Sequence, residues 1–185
     1  PDAVREAVHD YLTEFAQLFL FLLAAMTYVN AMSERNVFLA LRDWLARRAF
    51  TYRTMFWITG LMSFFLSPVI DNLTTALVMC AVVMAIGQGN PRFIGIACVN
   101  IVVAANAGGA FSPFGDITTL MVWQRGIIGF ETFFALFLPS VINSVVPAAI
   151  MSMAVPSGMP TQPDLNHPVP MKRGARRIMF LFLCT

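Results

Sequence analysis

Long apolar stretches alternate with short polar interruptions along this chain, and their lengths predict its elements. Residues 12–32 form a run of 21 residues with a single acid, Glu14, about 31 Å long as a helix, which matches one bilayer core. Residues 33–54 change character: Phe38, Leu41, Trp44 and Leu45 recur at helical spacing among Arg35, Arg42, Arg47, Arg48 and Arg53, the pattern of an amphipathic helix at an interface. The runs 55–66 and 73–86 hold only 12 and 14 residues, about 18 and 21 Å, each too short to cross alone. A second broken pair, 93–105 and 117–128, flanks the stretch 106–116, which carries three glycines and one proline. Residues 130–155 read as one long helix kinked by Pro139 and Pro147.

Basic residues orient these elements. Arg53 precedes and Arg92 follows the 55–86 pair, so the positive-inside rule returns both ends to the cytoplasm and predicts a re-entrant hairpin with Asp71 and Asn72 at its tip. The 93–128 pair must then cross, because otherwise the 130–155 helix would deliver Lys172, Arg173, Arg176 and Arg177 to the outside. With that crossing, ten of the twelve basic residues lie inside, and only Arg5 and Arg125 lie outside. The expected order is an N-terminal segment and first span (1–32), a cytoplasmic linker (33–54), an ion-binding module (55–128), a span (130–155), a proline-rich cytoplasmic connection (156–177) and the start of another span (178–185).

Composition narrows the class further. Hydrophobic residues make up 58% and charged residues 12%, against about a quarter charged in soluble domains, and mean hydropathy is +0.71. These values describe a polytopic membrane protein with the lipid bilayer as its first partner. A net charge of +2, spread without an aromatic-interleaved basic stripe, sets nucleic acid aside. Cys80, Cys98 and Cys184 lack metal-ligand spacing and read as small apolar residues. The chain lacks an initiator Met and stops inside an apolar run, so a longer protein is expected around it.

Against this apolar background one polar phrase occurs twice: Ser67-Pro68-Val69-Ile70-Asp71-Asn72-Leu73-Thr74-Thr75 and Ser112-Pro113-Phe114-Gly115-Asp116-Ile117-Thr118-Thr119. A carboxylate in hydrocarbon costs several kcal/mol unless protein or water surrounds it, which marks both aspartates as functional candidates. Asp71 and Asp116 supply anionic oxygens; Asn72, Thr74, Thr75, Thr118 and Thr119 supply neutral ones; a broken backbone adds free carbonyls. Hard oxygen ligands of this kind suit sodium. A proton competes for the same carboxylates, and occupancy by one or the other is the minimum requirement for antiport. Simpler roles compete: both aspartates are good N-caps, the threonines can back-bond to helix carbonyls, and Gly108 and Gly109 suit close packing. Glu14 is an interfacial charge near the first span's outer end, and His9 and His167 fall outside the spans.

The phrases S-P-V-I-D-N-L-T-T-A and N-A-G-G-A-F-S-P-F-G-D-I-T-T-L-M-V-W, in this segment order, resemble NhaD-type sodium/proton antiporters of the ion transporter superfamily over nearly the whole chain. The resemblance implies an all-α polytopic inner-membrane antiporter of roughly twice this length, one half of an inverted-repeat transporter built from a re-entrant helical hairpin plus a broken transmembrane helix. By analogy with sodium-coupled carboxylate transporters it assigns a sodium site to Asp71, Asn72 and Thr74 of the hairpin and Ser112, Gly115 and Asp116 of the break. Sodium is then the transported substrate and no cofactor is called for; a homodimer is allowed but not specified. Those carboxylate transporters carry a neutral Ser-Asn-Thr tip, whereas Asp71-Asn72 adds a negative charge that favours cations and protons over a dianion. Two other readings stand beside antiport: sodium-coupled anion transport, and intramembrane aspartyl proteolysis, against which Pro113 occupies the first glycine position of the expected Gly-x-Gly-Asp.

Overall fold

The computed structural model describes residues 2–46, 50–159 and 171–184. Expectations for Arg47, Arg48, His167 and residues 160–170 of the 156–177 connection lie outside the described residues, as do those for the side chains of Glu14, Phe38, Arg42 and Cys184. Every element is an α-helix: α1 Asp2–Glu34, α2 Val37–Ala46, α3 Tyr52–Ile70, α4 Asn72–Ile86, α5 Pro91–Ala110, α6 Ile117–Gln124, α7 Phe130–Ala135, α8 Phe137–Ser152 and α9 Ala175–Cys184. Among the described residues, Tyr52–Ile70, Pro91–Ala110 and Phe130–Ser152 are long and apolar enough to cross a membrane. Among the described residues all regular structure is helical, and the chain is integral to a membrane.

The helices fall into two units, residues 1–37 with 170–185, and 38–169. In the first, α1 begins ten residues before the expected span, because Asp2–His9 contains good helix formers, and ends at Asn36, whose φ of 60° stops the helix. The turn before α9 is tied to this end: the Lys172 amide donates to the Arg35 carbonyl at 3.1 Å, and the Arg35 guanidinium donates to the Arg173 carbonyl.

In the second unit, α3 and α4 form the expected hairpin. Met79, Val82, Val83 and Ile86, from the far half of α4, share one buried cluster with Tyr52, Met55 and Phe56 at the start of α3. Arms of 19 and 15 residues, about 28 and 22 Å long, bring those ends together only if the chain folds back between them. It does so at one residue, Asp71, with φ 90° and ψ 155°. The arms are thus longer than the apolar runs suggested, and α3 is long enough by itself to cross. The difference is local: Ser67 and Pro68 sit in the last turn of α3 rather than in the break, and the helix runs on to Ile70 although Pro68 lacks the amide that would bond one turn back.

Alongside the hairpin, α5 runs parallel to α3. Phe93 packs against Tyr52 with ring centroids 4.6 Å apart at one end, and Phe111 lies 5.4 Å from Phe64 towards the other. Helix α5 continues through Asn106, Gly108 and Gly109, so the second break is 111–116 instead of 106–116. Gly108 and Gly109 permit close packing, as expected: a Cβ on Gly108 would collide with the Phe64 carbonyl, and one on Gly109 with the Gly115 carbonyl. Helix α8 packs back along α5 through Ser140, Ser144, Ala148 and Ser152, small buried residues every four positions. The expected single helix 130–155 is interrupted at Leu136, three residues before Pro139, whose missing amide cannot bond one turn back. Pro147 sits inside α8 without a break.

Candidate functional site

The two copies of the repeated phrase meet at the hairpin tip. The Asn72 amide N–H donates to the Gly115 carbonyl at 3.0 Å, and the Ser112 hydroxyl donates to the Pro68 carbonyl at 3.1 Å. The Asn72 side-chain amide donates to Asp116 Oδ2 at 2.7 Å and to Asn106 Oδ1 at 3.0 Å. Pro68 and Asn72 from the hairpin thus join Asn106 from α5 and Ser112, Gly115 and Asp116 from the second break. Close approach is possible because Gly109 and Gly115 face each other without side chains; a Cβ on Gly115 would strike the Gly109 backbone.

Both aspartates cap helices. Asp71 Oδ1 accepts from the Thr74 amide at 2.7 Å, and Asp116 Oδ1 accepts from the Thr118 amide at 2.9 Å and the Thr118 hydroxyl at 3.1 Å. Capping occupies one carboxylate oxygen of each residue, and the second oxygens differ. Asp116 Oδ2 is taken by Asn72, whereas Asp71 Oδ2 is buried with no hydrogen-bond partner. Two further buried oxygens without partners lie four residues to either side, Ser67 Oγ and Thr75 Oγ1. Thr119 instead back-bonds, its hydroxyl donating to the Asp116 and Pro113 carbonyls.

The candidate residues therefore divide by role. Asp71, Asn72, Gly115 and Asp116 come together at the tip, and Ser112 buckles the break to the hairpin. Thr74 and Thr118 serve the caps, while Thr75 leaves its hydroxyl oxygen free. Asn106 and Ser67 are functional candidates that the sequence reading passed over. The available signal was an amide in an apolar helix for Asn106, and a place in the repeated phrase for Ser67. Asn100, another amide in α5, donates to the Phe56 carbonyl at 3.1 Å beneath Gly60, where a Cβ would collide with it.

Comparison with known proteins places this arrangement in a family: the model described as citrate transporter, CitMHS, matches residues 5–184. The chain belongs to this family. It is 57% identical over 185 residues to the Na(+)/H(+) antiporter NhaD of Alkalimonas amylolytica, covering 100% of this chain and 38% of that protein. Identity is also 57%, over 184 residues, to the protein of the same name in Vibrio cholerae, with the same coverage. A more distant relative, Sodium/proton antiporter 2 of Arabidopsis thaliana, is 39% identical over 142 residues, 76% of this chain and 33% of its own length. The chain thus spans 38% of the length of the two bacterial relatives. No solved structure matches.

Proposed function

We propose that the protein containing this chain exchanges sodium, or lithium, for protons across a bacterial inner membrane, and that the hairpin tip and the 111–116 break form half of its ion site. The carrying observation is the inequality of the two carboxylates: Asp71 presents a buried oxygen without a partner, while both oxygens of Asp116 are hydrogen-bonded, by Asn72 and Thr118. Asp71 Oδ2 is the oxygen that binds a cation or a proton in turn, and Asp116 is the positioning group that holds Asn72 in place. The relatives' names agree with this exchange.

The family's name refers to citrate, an anion, and a tip with two carboxylates is electrostatically unsuited to a polyanion unless cations accompany it. That chemistry ranks anion transport second. Proteolysis lacks support, since an amide bridges from Asn72 to Asp116.

The test uses full-length protein in everted vesicles across a pH series, with expression checked in parallel. Asp71→Asn retains a capping side chain and is expected to abolish exchange at every sodium concentration. Asp116→Asn places an amide against the Asn72 amide and is expected to raise the sodium KM at least about tenfold, since a charged hydrogen-bond partner contributes roughly 1.5–3 kcal/mol. Near-normal exchange by well-expressed Asp71→Asn would leave the aspartates as caps and refute the assignment.

A further inference from the structure

The first unit gathers a set of cations that the ion site does not use. Arg35 follows the end of α1, and Lys172, Arg173, Arg176 and Arg177 surround the start of α9. Two hydrogen bonds draw these groups together, from the Lys172 amide to the Arg35 carbonyl and from the Arg35 guanidinium to the Arg173 carbonyl. Gly174 makes that approach possible: its φ is 87°, and a Cβ there would collide with Arg35 Nη1. All four cations from the α9 side are exposed, and Glu34 is the single acid in residues 33–37 and 171–177.

This placement is electrostatically unfavourable by itself. Arg176 and Arg177 lie in the first turn of α9, at the positive end of its dipole, where anions are favoured and cations are not. Five cations around one helix start repel one another as well. A bound anion relieves both effects, and guanidinium forks match phosphate oxygens in a bidentate way. The surroundings identify which anion. Helix α9 leaves this point with Phe180 and Leu181 exposed, and α1 exposes Phe19, Leu20 and Leu23 from about 18 Å further along, so the cluster lies at the polar end of an apolar helix surface, where headgroups meet acyl chains.

We infer that Arg35, Lys172, Arg173, Arg176 and Arg177 form a binding surface for the phosphate of an anionic phospholipid headgroup. The lipid ties the end of α1 to the start of α9, in addition to the two hydrogen bonds between them.

The experiment is native mass spectrometry of the delipidated full-length protein, titrated with phosphatidylglycerol or with phosphatidylcholine. Wild type is expected to retain phosphatidylglycerol preferentially, and Arg173→Gln/Arg176→Gln/Arg177→Gln to lose that preference on the order of tenfold or more, given the contribution of each basic residue near an anionic surface. The corresponding triple Lys variant, which preserves charge but not the bidentate fork, should retain more of it than the Gln variant and less than wild type. Gly174→Ala, which alters no charge, should weaken it by disturbing Arg35. Arg5→Gln, at the far end of α1, should leave it intact. Unchanged preference in the triple Gln variant, or an equal loss in Arg5→Gln, would overturn the inference. Displacement of the lipid by millimolar inorganic phosphate would overturn the headgroup assignment in favour of a free-anion site.

Discussion

Asp71 combines three demands in one residue. It ends α3, caps α4 through Oδ1, and turns the chain with φ 90° and ψ 155°, a conformation that costs an ordinary residue about 1–3 kcal/mol and suits glycine. A carboxylate retained at that cost implies a use beyond the turn. Asp71→Gly is accordingly expected to leave the thermal midpoint unchanged or raise stability by about 1 kcal/mol, since relief of strain outweighs the few tenths lost at the cap, while exchange disappears. A loss of stability above about 2 kcal/mol in thermal unfolding would show that the carboxylate serves the fold. The repeated phrase revealed both aspartates as candidates but presented them as equivalents. Their inequality depends on Asn72, which reaches Asp116 and leaves Asp71 Oδ2 alone, and no spacing along the chain encodes which oxygen an amide from another helix will occupy.

At the level of helices, the hairpin is held against α5 by a matched defect. Pro68 has no amide hydrogen, so the Phe64 carbonyl loses its helical donor, and that carbonyl is where Gly108 packs most closely. A Cα–H approach to the freed oxygen uses what the proline left unpaired. Gly108→Ala is expected to push α3 and α5 apart and destabilise the protein by about 1–3 kcal/mol. Gly95→Ala, in the same helix with open space around it, should be neutral or stabilising by up to about 1 kcal/mol. Equal midpoints for the two variants in thermal unfolding would dismiss the close-packing account. The hairpin itself was legible because Arg53 and Arg92 bracket it; its depth was not, because apolar run length stops at Ser67 whereas the helix continues to Ile70. Single cysteines at Thr54 and Gln88, exposed residues flanking its base, are expected to label only from the cytoplasmic side of a Cys-free full-length protein. External labelling of either would contradict the charge-based orientation.

For the molecule as a whole, an exposed apolar surface runs along the hairpin through Leu61, Phe65, Leu73 and Leu77, and the chain spans 38% of the length of the bacterial relatives. Inverted-repeat transporters close their site between two halves. This chain alone, reconstituted in vesicles, is therefore expected to show no sodium-dependent proton flux, and co-expression with the remainder of the protein should restore it. Robust flux from the chain alone would refute the half-site reading. Membrane class, helix order and the two aspartate-bearing breaks were all readable from residue type and run length, since burial in lipid forces apolar composition and polar interruptions there stand out. Packing decided the rest. The single-residue turn at Asp71, the interruption at Leu136 and the joining of Asn72 to Asn106 and Asp116 depend on which backbones approach closely enough for glycine to matter and which carbonyls prolines set free. Those are properties of neighbouring helices, and hydrophobic periodicity along one helix carries no record of them.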